Sequence, residues 1–146
     1  AALPLEPLGL TGAGDRVAWL APDRWLVVAH DRAGEALADA LRKRLGRAAH
    51  VHDVTDGLVA VDVTGRRGDD VMAAVCGLDL HARAFPADRA ARTLVGGVDV
   101  LIYRVDGGFR LHVGRPVARH LWAWLVAAAR DTNDGAAASI PPGAST

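Results

Sequence analysis

A single cysteine, Cys76, stands in this 146-residue sequence, which excludes an internal disulfide and makes a reducing cytoplasm the simplest setting. Lysine is almost missing: Lys43 stands alone against sixteen arginines, and two glutamates stand against fifteen aspartates. With the richness in Ala and Gly, that skew is associated with a GC-rich bacterial coding sequence. Neither sign of charge prevails. Seventeen basic residues balance 17 acidic ones, so no field is available to hold nucleic acid or an acidic membrane surface. No apolar run reaches the length of a membrane span, and no basic segment followed by an apolar stretch opens the chain, so neither a spanning helix nor a leader is expected. Apolar surface, by contrast, is plentiful. At 51% hydrophobic residues, a chain of this size can bury a core as one domain without covalent staples.

The pattern along the chain predicts an α+β fold. Residues 1–15 are punctuated by Pro and Gly and carry Leu3, Leu5, Leu8 and Leu10; they read as an extended arm that docks on something. Arg16–Leu20 and Trp25–His30 read as strands joined by Ala21-Pro22-Asp23-Arg24, where Pro suits the second position of a turn. Asp31 is placed to cap a helix over about 33–45, with Leu37, Leu41 and Leu45 at helical spacing and Gly46 as the stop. His50–Thr55 and Leu58–Thr64 read as a hairpin around Asp56-Gly57. Asp69–Cys76 reads as a short helix and Thr93–Val105 as one long strand bending at Gly96-Gly97. Phe109–Gly114 is the last strand. A final helix over about 116–130 follows, with Val117, Leu121, Trp124, Leu125 and Ala128 as its inner stripe. Residues 16–130 are thus expected to form a single α+β domain of repeated ββα units, antiparallel sheets with helices packed on them, and 131–146 a flexible tail.

The search for chemistry finds fragments. His50 and His52 share one face of their expected strand, but no third ligand stands at defined spacing, so no metal site is expected. Cys76 and His81 are five residues apart along a loop, which fixes no nucleophile–base geometry. Gly12-Ala13-Gly14 lacks both the third glycine and the helix of a dinucleotide fingerprint. Gly65-Arg66-Arg67-Gly68 precedes a helix and reads as a surface turn with solvated arginines. Trp25, Trp122 and Trp124 are candidate interface anchors, because exposed Trp removes much apolar surface from water on docking. Arg92 enters an apolar run, where a guanidinium needs partners. Two readings stand: it pins the loop Gly77–Ala91 through Asp79, Asp88 or carbonyls near Phe85-Pro86, or it is a solvated arginine at a strand end.

Several short motifs stand in order over residues 16–130. They are Leu20-Ala21-Pro22-Asp23-Arg24-Trp25-Leu26, Asp53-Val54-Thr55-Asp56, and the loop from Cys76-Gly77-Leu78-Asp79-Leu80-His81 through Phe85-Pro86 to Ala91-Arg92-Thr93-Leu94. Leu121-Trp122-Ala123-Trp124-Leu125 closes the series. Together they resemble the gamma subunit family of heterotetrameric sarcosine oxidase, whose fold is related to the folate-binding domains of the glycine-cleavage T-protein group. Gly77 stands where that family often has Pro, and Thr55 where it usually has Ser. The resemblance implies a T-protein-like folate-domain fold in a non-catalytic accessory subunit that packs on a large alpha subunit, with beta and delta subunits beside it. It implies no cofactor on this chain, and FAD, FMN, NAD and folate on the partners. It marks Trp25, Asp79, His81, Phe85, Arg92, Trp122 and Trp124 as structural or interface candidates. The alternative is a stand-alone folate-binding module. That would need a carboxylate to pair with the pterin edge, for which Asp62, Asp79 and Asp99 are candidates.

Overall fold

The computed structural model describes residues 3–31 and 33–138. Among the described residues, seven strands and three helices follow one another. Strands β1 (Leu10–Thr11), β2 (Arg16–Ala21) and β3 (Arg24–Val28) precede helix α1 (Gly34–Leu45). A 3-10 turn (Thr55–Gly57) leads into β4 (Leu58–Thr64), which is followed by α2 (Gly68–Val75). Strands β5 (Ala90–Val95), β6 (Val98–Val105) and β7 (Gly108–Gly114) come next, and α3 (Ala118–Ala138) closes the series. Every strand pairing is antiparallel. One sheet has the order β1-β2-β3 and the other the order β4-β7-β6-β5.

Three layers follow from side-chain alternation. On β6, Val98, Val100 and Ile102 point to one side, where they meet Met72 of α2 and Leu121 and Leu125 of α3. Leu101 and Tyr103 point to the other side, where they meet Leu10, Ala18 and Ala90. The four-stranded sheet is therefore sandwiched between two helices and the smaller sheet. A strand covered on both faces has no polar side to show, which is why the middle of β6, Val100–Tyr103, reads as an unbroken apolar run. The edge strand β4 is covered on one face only. Val59, Val61 and Val63 pack toward the helices, while Ala60, Asp62 and Thr64 are exposed. Fully buried side chains such as Ile102, Phe109 and Leu111 each contribute roughly 1.5–3 kcal/mol by leaving water.

Several local expectations are corrected by the coordinates. The run Thr93–Val105 is two strands, not one bent strand. Gly96 and Gly97 both take positive φ, a conformation that reverses the chain, and β5 pairs with β6 as a hairpin. Residues 50–54 form no strand, and Asp56-Gly57 lies in the 3-10 turn, so β4 takes its partner from β7. The reason is local: the Asp53 carboxylate accepts the backbone N–H of Thr55, and that Asx-type turn curls the chain before β4 begins. The residue before α1 is Ala33, with no side-chain cap, rather than Asp31. The strands precede the helices in groups of three, one and three, so the ββα repeat is not regular. Helix α3 runs to Ala138, past residue 130. Arg67 donates to the Thr132 carbonyl and ties that stretch of the helix to the body of the fold. The rest of the expected tail, including Ile140, lies outside the described residues.

The N-terminal arm folds back onto its own domain. Leu10 is buried beside Tyr103, and the Leu10 N–H donates to Asp88 O at 2.8 Å. The Ala90 N–H donates to Leu8 O at 2.8 Å, and Trp25 Nε1–H donates to Pro4 O at 2.8 Å. Leu3, Leu5 and Leu8 remain exposed.

Candidate functional site

The loop that carries most of the resemblance is a knot with two apolar anchors. Leu80 and Phe85 insert into the core on the helix side of the sheet. Between them the polar residues satisfy one another. Asp79 Oδ1 accepts the His81 N–H at 2.9 Å, His81 Nδ1 accepts the Arg83 N–H at 3.3 Å, and His81 O accepts the N–H groups of Ala84 and Phe85. His81 is thus a turn residue, exposed, while Cys76 is buried in the core. Their predicted roles do not converge.

The residue that pins this loop is Arg104, not Arg92. Arg104 Nε donates to Phe85 O at 2.8 Å and its Nη2 donates to Leu80 O. Its guanidinium lies 4.6 Å from the Phe109 ring centroid, with Asp69 at 3.8 Å, and its side chain is 19% exposed. Arg92 points to the opposite face of the sheet and pairs with Asp99 across the β5–β6 hairpin, in solvent. The physical reasoning applied to Arg92 holds for the arginine inside the apolar run. The signal was the one charge on the helix-facing side of Val98–Val105.

A second polar group lies on the other face of the same sheet. Arg110 grips Asp62 with two hydrogen bonds of 2.7 Å across the β4–β7 ladder and approaches His30 Nε2 at 3.2 Å. Arg110 holds the Asp62 carboxyl below its ordinary range, and Asp62 raises Arg110 in return. Deeper in, the Tyr103 hydroxyl meets His112 Nε2 at 3.0 Å, with the two rings stacked. Burial raises the Tyr103 pKa and lowers that of His112 to about 4, with Arg110 adding to the latter effect. Both rings are neutral at pH 7, and one hydrogen bond joins the Tyr103 hydroxyl to His112 Nε2. No buried side-chain polar atom is left unpaired among the described residues.

The three candidate pterin carboxylates are each engaged: Asp62 by Arg110, Asp79 by its own turn and Asp99 by Arg92. His50 and His52 are exposed in an irregular segment, and no cluster of three potential metal ligands exists among the described residues.

His112 makes a testable prediction. Its folded pKa of about 4 lies below the ordinary 6.5, so the unfolded chain takes up the proton first. Stability is therefore full above pH 6.5 and falls by about 2–3 kcal/mol as the pH drops toward 4. Urea midpoints measured from pH 7 to pH 4 should show this slope, and His112→Gln should flatten it. The same slope in both proteins would refute the assignment. The groups facing His112 are Tyr103, Arg110, Asp62 and His30; of these, the Asp62 effect belongs to the range below 3.8.

The largest exposed apolar features are elsewhere. Trp122 is 58% exposed and Trp124 is 49% exposed, although Trp124 is expected in the inner stripe of α3; among the described residues Leu121, Leu125 and Ala128 form the buried stripe. Trp124 lies over Gly96, whose missing Cβ leaves room for the indole. Trp122 borders an open groove of about 470 Å³ between α3 and β4, lined by Val61, Val63, Leu125, Val126 and Ala129. Trp25 serves the arm through its indole N–H, and Phe85 is a core anchor.

The GCVT N-terminal domain model matches residues 8–138, nearly all of the described chain.

This chain belongs to the GCVT N-terminal domain family.

Within it, the chain is similar to the sarcosine oxidase subunit gamma of Arthrobacter sp, 33% identical over 105 residues that cover 70% of this chain and 51% of that protein. It is also similar to the subunit gamma of Corynebacterium sp. (strain U-96), 30% identical over 116 residues covering 78% and 56%. The chain thus spans about half the length of the curated relatives it matches. Among solved structures, a chain of the heterotetrameric sarcosine oxidase from Corynebacterium sp. U-96, in complex with pyrrole 2-carboxylate, superposes with a TM-score of 0.82. The match has 28% identity and covers 89% of this chain and 68% of that one. This GCVT-family chain carries the antiparallel, helix-covered folate-domain-like fold that its motifs indicate.

Proposed function

We propose that the chain is a gamma-type, non-catalytic subunit of a heterotetrameric sarcosine oxidase-like complex, packed on a large alpha subunit with beta and delta subunits beside it. In that reading it stabilises the alpha subunit while the complex oxidatively demethylates sarcosine or a related N-methyl amino acid. FAD, FMN, NAD and folate belong to the partner subunits, and the complex works in the cytoplasm. The observation that carries the reading is the similarity over 89% of the chain to a chain of a heterotetrameric sarcosine oxidase. Two features support it. No buried side-chain polar atom lacks a partner among the described residues, while Trp122, Trp124, Leu3 and Leu5 face outward. Among the described residues no helix is long and apolar enough to cross a membrane.

The test is co-expression with the alpha, beta and delta subunits of a heterotetrameric sarcosine oxidase-like complex. A single complex should elute, with flavin absorbance on the complex and none on the chain alone after desalting. Elution of the chain apart from the flavin-bearing subunits would overturn the reading. Stoichiometric tetrahydrofolate binding by the isolated chain would favour the stand-alone folate module instead.

A further inference from the structure

The two edges of the four-stranded sheet are treated differently. The β5 edge is closed at both ends by the chain itself. Gly9 bridges to Arg89 and Leu8 O accepts the Ala90 N–H at one end; Cys76 bridges to Val95 and Val75 O accepts the Gly96 N–H at the other. The β4 edge has no such cover. It pairs with β7 on one side and with no strand on the other among the described residues. Over seven residues it holds no proline, lysine or register break, and its one charge, Asp62, is neutralised by Arg110 of β7.

The direction of its free groups can be assigned. The Gly65 N–H donates to Gly107 O at 3.0 Å, so the odd-numbered residues of β4 face β7. The main-chain N–H and C=O groups of Ala60, Asp62 and Thr64 therefore face away from the sheet. Directly beside them runs the groove walled by Val61, Val63, Trp122 and Val126. Arg66 sits exposed where β4 ends, and Arg119 sits exposed on the first turn of α3.

We propose that the free edge of β4 and the adjoining Trp122 groove receive an extended strand from another subunit of the complex. The occupant is set by chemistry. Only an extended backbone can satisfy a row of alternating donors and acceptors. Its alternate side chains on the helix side must be apolar, to cover Val61, Val63 and Trp122. A carboxylate beyond the strand meets Arg66. The inference rests on the gamma-subunit reading and specifies its contact surface.

Hydrogen exchange on the co-expressed alpha–beta–delta complex, compared with the free chain, tests it. The amides of Ala60, Asp62 and Thr64 should exchange at least about tenfold more slowly in the complex. Ala60→Pro removes an outward N–H without touching the β7 ladder, and Trp122→Glu spoils the groove at an exposed position. Each should lower the fraction retained in the complex by about tenfold. Leu94→Asp, on β5, should leave it unchanged. If the complex forms with β4 amides exchanging as in the free chain, the edge proposal fails and the subunit reading stands. If no complex forms with the wild-type chain, both fail. Protection of β4 that instead rises with the concentration of the free chain, with a doubled mass, would assign the edge to a second copy and overturn the proposal.

Discussion

Replacing Arg104 by Met should lower stability by about 3–4 kcal/mol, because the Leu80 and Phe85 carbonyls lose charged donors in a mostly buried setting. Methionine keeps the stem that packs along the core, so the loss reports the guanidinium and not a cavity. Arg104→Lys should recover part of it, since one ammonium can serve one carbonyl but cannot span both as the planar fork does. The loop 77–89 should also open locally in Arg104→Met, seen as faster exchange of the Ala84 and Phe85 amides, which His81 O now accepts. Arg92→Lys, in a solvent-exposed pair with Asp99, should stay within about 0.5 kcal/mol of wild type. Equal melting temperatures for wild type and Arg104→Met would show that the loop is held by Leu80 and Phe85 alone.

Gly108→Ala should cost at least as much, about 3–5 kcal/mol, and shift the melting temperature down by roughly 10 °C. A Cβ at this position would lie within 3.0 Å of the Val63 carbonyl carbon and 2.9 Å of Thr64 Cα. These are backbone atoms of the neighbouring strand, so no side chain can swing aside. The two strands must separate where β4 and β7 pair Thr64 with Gly108. Gly77→Ala is the control: nothing lies within 4 Å of its would-be Cβ, and a change below about 0.5 kcal/mol is expected. If both substitutions have the same small effect, the close approach of β4 to β7 is not real.

Neither glycine can be told from the other by its neighbours in sequence. Both sit at the end of an element, next to apolar residues. What separates them is a strand 44 positions earlier in the chain, Thr64 against Gly108, brought alongside by the fold. The same holds for the arginines. Arg92 and Arg104 lie 12 residues apart, both in runs of β-forming residues. A period of two places them on opposite faces only once the turn at Gly96-Gly97 is known to reverse the chain and not merely bend it. Reading 93–105 as one strand hid that reversal and gave Arg104's task to Arg92.

The fold class, the family resemblance and the places of β2, β3, β4, β7 and all three helices were legible in the residues to within a few positions, apart from the far end of α3. Those features rest on local physics: alternation on half-buried strands, helical spacing of apolar residues, and turn chemistry at Pro22-Asp23 and Asp106-Gly107. Tertiary structure alone decided which edge of the sheet stays open, which arginine holds the loop, and that Asp62, Arg110, Tyr103 and His112 meet on one face. It also decided that Trp122 faces outward, although its position on α3 lies next to the buried stripe. Each of these depends on strands far apart in the chain coming into register. A periodic pattern tells which face of an element is apolar; it does not tell what will be laid against that face.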